Sequence, residues 1–317
     1  MAQTTNMPNR QNAELQLQPT SVEHLLKFAA GGYLYALLDA YDAPTVPAKV
    51  QELGTESAVC LFVGNAEKKY WELAPYLIQI DASTLEWMRQ SVWGSACGVF
   101  LLSKSGLETL RTHLRRFLMV QLPDGERWFF RYYDPRILKV YLQNCRTDEL
   151  EIFFGPVRSF GIVDAEADQI LLLHTSIEGR PITQSSSSSD SLWRIRPEQY
   201  QALDAAVHQD LEERMMQHVR KLFPQRCSSL GEDQVRQLVR HGSAKAAGYQ
   251  LSREADLCRF VELAFAFGRD FDRDPRYPWA SEVLRDASIA EPAARLAKVY
   301  ENARRIVLEA TAAGRGA

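Results

Sequence analysis

Between Tyr33 and Leu102 the chain repeats one alternation: a short apolar run, then a stretch whose apolar residues recur at helical spacing. The runs are YLYALL, SAVCLFV, PYLIQI and CGVFLL. Runs this short, rich in branched and aromatic side chains, read as strands. Strands alternating with helices predict an α/β core, with helices packed on a sheet. Leu107, Leu110, Leu114 and Phe117 fall on one helical face. Ser83 with Glu86, and Ser105 with Glu108, fit the capping box, in which each side chain satisfies a free N–H of the first turn.

FLMVQL and RWFFRYY flank the turn residues Pro123, Asp124 and Gly125, which predicts an antiparallel hairpin. FGIVD and QILLLH predict a second one, so the sheet is expected to be mixed. Asp134 and Pro135 supply an N-cap and a first-turn proline for a helix carrying Ile137, Leu138 and Tyr141. A serine-rich loop over 183–191 precedes the strand-like LWRIR. Beyond Pro197 the apolar spacing is helical throughout, as in Leu203, Val207, Leu211, Met215, Val219 and Leu222, predicting a bundle of about five helices. The expected organisation is a flexible N-terminal tail over 1–30, an α/β domain over 31–196 and an all-α helical bundle over 197–317.

Composition enters through what it excludes. A net charge of -3 on 317 residues offers no overall attraction to nucleic acid or to an anionic membrane. The opening twenty residues are polar and lack the apolar core of a signal peptide, and no run approaches the roughly eighteen apolar residues of a membrane span. A cytoplasmic protein is expected. The five cysteines are scattered without a CxxC pair and read as reduced, mostly buried apolar residues. GxxxxGK[ST], GxGxxG, GxSxG and HExxH are all absent from the sequence, so no catalytic residue, cofactor or metal ligand is assigned. Asp270, Asp272 and Asp274 alternate like the start of a calcium loop. Pro275 stands where the turn needs glycine, and Ser281 where a glutamate should close the shell, which leaves a solvated acidic turn.

One local asymmetry stands out. From Ser105 to Arg146 there are eight basic residues, Arg111, Arg115, Arg116, Arg127, Arg131, Arg136, Lys139 and Arg146, against four acids. Aromatic residues are interleaved with them in WFFRYYDPR. Continued strand alternation would put Trp128, Phe130 and Tyr132 on a core face, with Phe129, Arg131 and Tyr133 opposite. Three readings follow. The arginines pair with Asp134 and its neighbours at a structural joint; or Arg115, Arg116, Arg131, Tyr133 and Arg136 form a partner-binding surface, arginine and aromatic groups being enriched at such sites; or the patch stacks single-stranded nucleic acid. Loss of one face to the core argues against the last.

The blocks YALLDA (35–40), APYL (74–77), WGSACGVFL (93–101), LRTHLRRFLMV (110–120), FFRYYDPRIL (129–138) and FFGPV (153–157) occur in an order that resembles the type VI secretion effector adaptor, or effector chaperone, family. That family was long catalogued as a domain of unknown function. The helical C-terminal part, with DPRYPWA, is similar to the tail found on many of these adaptors. The resemblance implies a non-enzymatic protein that binds the N-terminal region of one cognate secreted effector, keeps it soluble and promotes its loading onto the VgrG spike protein. It implies no catalytic residue, no cofactor, no nucleic acid and no membrane. The alternative from the residues alone is an α/β enzyme acting on a small substrate through an unrecognised active site.

Overall fold

The computed structural model describes residues 14–164, 169–175 and 192–313. Residues 1–13 and the serine-rich loop lie outside the described residues. The chain divides into two compact units between Ala206 and Val207, inside a long helix and ten residues past the boundary expected at Pro197.

The first unit contains strands β1 (Leu15–Thr20), β2 (Leu34–Asp39), β3 (Ala58–Cys60), β4 (Pro75–Gln79), β5 (Gly98–Leu102), β6 (Met119–Gln121), β7 (Arg127–Phe129), β8 (Ser159–Asp164), β9 (Gln169–Thr175) and β10 (Trp193–Arg194). Its helices are α1 (Val22–Ala30), α2 (Val46–Leu53), α3 (Asn65–Tyr70), α4 (Ala82–Ser91), α5 (Leu107–Arg115), α6 (Pro135–Gln143) and α7 (Thr147–Phe154). Seven strands form one sheet in the order β1-β9-β8-β5-β2-β4-β3, antiparallel at every pairing. The other three form a small sheet, β10-β6-β7, in which β10 runs parallel to β6 and β7 antiparallel. The fold is therefore α/β as expected. Among the described residues its one parallel pairing lies in the small sheet.

Helices cover both faces of the large sheet. Tyr35, Leu37, Leu77, Val99 and Leu101 look to one side, against Leu110 and Leu114 of α5, Leu138 and Tyr141 of α6, and Phe153 of α7. Ala36, Leu38, Ile78, Phe100 and Leu102 look to the other, against Leu25 of α1, Val46 of α2, and Leu85 and Met88 of α4. Burial on both faces explains why these strands read as unbroken apolar runs, a pattern more usual in parallel sheets. Each fully buried leucine or phenylalanine contributes about 1.5–3 kcal/mol of transfer free energy.

Three local expectations are corrected. Residues 14–30 are not a tail: LQLQPT pairs with β9 over six residues, and Ser21 caps α1 by accepting the His24 N–H. The cap of α4 is Asp81, not Ser83, because its carboxylate accepts the Thr84 N–H at 2.7 Å and the Ser83 hydroxyl besides. The N-cap of α5 is Gly106, whose lack of a side chain leaves no capping bond, while Ser105 gives its N–H to the Ser103 hydroxyl. At α6 the reading holds: Asp134 accepts the Arg136 N–H and Pro135 opens the helix.

The second unit is helical, with α8 (Pro197–Leu222) entering it, then α9 (Pro224–Leu230), α10 (Glu232–Gly248), α11 (Glu254–Phe267), α12 (Pro278–Leu284) and α13 (Pro292–Ala313). Phe260, Val261, Ala264, Phe265, Leu296 and Val299 lie in its core. The acidic turn is not simply solvated. Phe271 is buried and takes Asp272 in with it, where the carboxylate accepts Lys245 Nζ at 2.6 Å and the Tyr249 hydroxyl at 3.0 Å. Asp270 pairs with Lys245 and His241, and Asp274 with Arg276. The three carboxylates have basic partners, and among the described residues no cluster suited to a metal ion occurs.

Candidate interaction surface

The stretch FFRYYDPRIL does not remain a strand. β7 ends at Phe129, the Phe130 N–H returns to Leu118 O, and the Asp134 N–H closes a turn onto Arg131 O. Alternation lapses there. Phe130, Tyr132 and Tyr133 all enter the core, where the Tyr132 ring meets Phe117 and Phe153 edge-on and its hydroxyl donates to Leu114 O. Tyr133, expected on the surface, is 1% exposed, and burial pushes its hydroxyl far up from the ordinary range. Trp128, expected in the core, is largely exposed and meets Tyr200 edge-on.

The five residues singled out from the sequence do not share one environment. Arg131 Nη2 donates to Asp39 Oδ2 at 2.5 Å and to Asp42, and the guanidinium lies over the Tyr41 ring. Burial raises the Asp39 carboxyl above its usual range even though Arg131 and the Tyr41 N–H pull it down. Arg136 is exposed and makes a two-pronged contact with Asp134 through Nε and Nη2. Arg115 is half-buried, and Arg116 is exposed with its guanidinium over Phe117. Arg131 and Arg136 thus have the geometry of the structural joint.

Other titratable groups in the first unit also have structural accounts. Burial drives His113 down to about 4, its Nε2 lying 2.8 Å from Phe153 O. Burial likewise pushes the thiols of Cys60 to about 11 and Cys145 to about 12.

A different surface emerges from the register of the small sheet. Trp193, Val120 and Trp128 lie abreast, as do Arg194, Gln121 and Arg127, while Met119 pairs with Phe129. Side chains abreast share a face and successive ones alternate. Val120 is buried and Trp193 packs edge-on against Phe117, so their row faces inward; Trp128, at the sheet edge of that row, stays 49% exposed against Tyr200. Met119, Gln121, Arg127, Phe129 and Arg194 therefore face outward. Met119 is 39% exposed and Phe129 41%. Phe62 meets Phe129 edge-on at 5.6 Å and extends the apolar strip toward the exposed Val63. Neither Arg127 nor Arg194 is in an ion pair among the described residues, and the outward row contains no acid.

The platform is firmly held. The Trp193 indole donates to the Tyr141 hydroxyl at 2.7 Å, and the Ile195 N–H donates to Gln121 O. Arg196, just beyond, grips Glu149 with Nε and Nη2, while the buried Gln199 accepts the Arg196 N–H and donates to Glu149. Sequence reading missed this face because Arg194 reaches it through a parallel pairing with residues over seventy positions away, for which no local signal exists.

Residues 34–151 match the family described as "Domain of unknown function (DUF4123)". The matched stretch runs from β2 into α7 and includes the hairpin β6–β7, but not β1, β8, β9 or β10. No curated protein and no solved structure matches the chain.

Proposed function

We propose that the chain is an adaptor that binds a cognate type VI secretion effector, keeps it soluble and passes it to the VgrG spike, without an enzymatic activity of its own. The observation that carries this reading is the outward face of the small sheet, where Met119 and Phe129 stand exposed beside Arg127 and Arg194, which have no ion pair among the described residues. Large apolar and guanidinium groups on a rigid platform give wide contact area and directed hydrogen bonds at small entropic loss, the composition enriched at protein–protein contacts. The match over residues 34–151 supports the adaptor reading through that domain's association with effector adaptors. The proposed face replaces the one centred on Arg131, Tyr133 and Arg136, whose side chains are engaged within the fold.

The test begins with affinity capture of the tagged full-length chain from its native bacterium, with mass spectrometry of what is retained. The adaptor reading expects a protein released by the type VI apparatus. Deleting the gene for the chain should stop that release and lower the soluble yield of the captured protein, and Phe129→Asp should reproduce both effects with the chain still folded. Release and solubility unchanged in the deletion strain would overturn the reading.

A further inference from the structure

We infer that the partner docks as an extended segment that adds a fourth strand to the small sheet along β7, with a carboxylate against Arg127 and a large apolar side chain two residues away against Phe129. The inference rests on the adaptor reading and specifies what its surface recognises.

The backbone carries the first half of the argument. β7 is the edge of the order β10-β6-β7, and all three of its residues are exposed. Its inward bonding is fixed by two flanking contacts: the Leu122 N–H to Glu126 O, and the Phe130 N–H to Leu118 O, each 2.8 Å. In an antiparallel pair, hydrogen-bonded and non-bonded positions alternate. Trp128 therefore bonds toward β6, while the N–H and C=O of Arg127 and Phe129 point away from it. No hydrogen bond to those four groups occurs among the described residues. An edge that offers its main chain in this way is a template for an added strand, and such addition is a recurrent mode of peptide recognition.

The side chains carry the second half, because they say what the added strand must bear. Partner residues opposite Arg127 and Phe129 would project to the outward face, two positions apart. One meets Arg127, with Arg194 two strands further on in the same row. The other meets the strip of Phe129, Met119 and Phe62. Two guanidinium groups without a carboxylate on that face call for an acid, and a guanidinium–carboxylate pair is stronger and more directional than a neutral hydrogen bond. The eight basic residues against four acids between Ser105 and Arg146 bias the surroundings the same way. A second copy of the chain is a poorer occupant, since pairing two β7 edges brings arginine to arginine or leaves both without an acid.

The probe is the peptide acetyl-Thr-Glu-Thr-Val-Thr-Glu-Thr-Val-Thr-amide, measured against the full chain by fluorescence anisotropy. Its lysine-for-glutamate counterpart, and a version N-methylated at the glutamates and valines, serve as controls. Strand addition predicts saturable binding by the glutamate peptide and roughly fivefold weaker binding for each main-chain hydrogen bond that methylation removes. Arg127→Glu with Arg194→Glu should invert the preference toward the lysine peptide, and both positions are exposed, so the fold should persist. Equal binding of the methylated peptide, or of the lysine peptide to the unaltered chain, overturns the inference. So does a dimer in sedimentation that Phe129→Asp dissolves, which would make a second copy the occupant. If no peptide binds while Phe129→Asp still abolishes capture and release of the effector, the strand inference fails and the adaptor reading stands. If neither responds, both fail.

Discussion

Replacing Arg131 with alanine should unfold the first unit more easily, and the size of the loss should depend on pH. Asp39 ends β2, and its side chain is only 3% exposed. Its nearest compensation is Arg131 Nη2 at 2.5 Å, with the Tyr41 N–H at 3.0 Å. Stripping one partner from a buried ion pair costs about 3–5 kcal/mol. The Arg131 side chain is 37% exposed, so water screens part of the interaction, and a loss of about 2–3 kcal/mol is expected at pH 7. The sign with pH follows from the Asp39 carboxyl, which burial already raises and which would rise further without the arginine. The folded state then retains a proton that the unfolded chain sheds near pH 4, so stability falls as pH rises above about 4. The deficit of Arg131→Ala relative to the unaltered chain should be small at pH 4 and complete at pH 7. Urea unfolding of the full chain, followed by near-ultraviolet circular dichroism, reads both values. Asp39→Asn in the same background should recover most of the loss. An equal, pH-independent loss in the Asp39→Asn background would refute the charge argument and assign the effect to packing of the guanidinium on Tyr41.

Three more outcomes are expected. Gly155→Ala should lower the melting temperature of the first unit, by about 2–4 kcal/mol of stability, because Gly155 has φ +48° and a Cβ there would stand 2.4 Å from the His113 ring; scanning calorimetry checks it, and His113→Ala should relieve part of the loss. His113, held down to about 4 against an ordinary 6.5, contributes stability that is whole above pH 6.5 and fades as pH falls toward 4, by about 3 kcal/mol in all; denaturation at stepped pH should show that slope flattened in His113→Gln. Asp272→Ala should destabilise the second unit by about 2–4 kcal/mol by leaving Lys245 with Asp270 alone, and millimolar calcium should leave the melting temperature of the unaltered chain unchanged; thermal melts with and without the ion read both.

Legibility from sequence followed the range of each interaction. β2, β4 and β5 were readable because a strand buried on both faces shows its burial in its own residues. Asp134 and Pro135 were readable because a cap and a first-turn proline act within three residues. β1 carries a signal too, since Leu15 and Leu17 alternate with Gln16 and Gln18, but its partners in β9 lie 150 to 160 residues away and a polar neighbourhood masks it. Asp81 takes the cap because the helix begins two residues earlier than a Ser83 cap requires: its carboxylate accepts the Thr84 N–H and the Ser83 hydroxyl, which leaves Ser83 inside the first turn. Period-two alternation ends with β7 at Phe129, so extending it to Tyr133 puts a core residue outside, while Trp128 keeps its place in the inward row and is exposed because that row ends at the sheet edge. The outward face of the small sheet depends on β10 lying beside β6, a fact of tertiary structure alone.

The pairing of β1 with β9 also sets a timetable. Leu15–Thr20 is made before the other described strands, yet its partner in the sheet among the described residues, Gln169–Thr175, is made about 150 residues later. At typical elongation rates of about 5–20 residues per second, the first strand waits on the order of 10–30 s with its main chain open. During that interval LQLQPT is shielded mainly by its glutamines and proline, which make it a poor template for aggregation. β1 thus stays unpaired in the large sheet until β9, the last of that sheet's described strands in chain order, has been made.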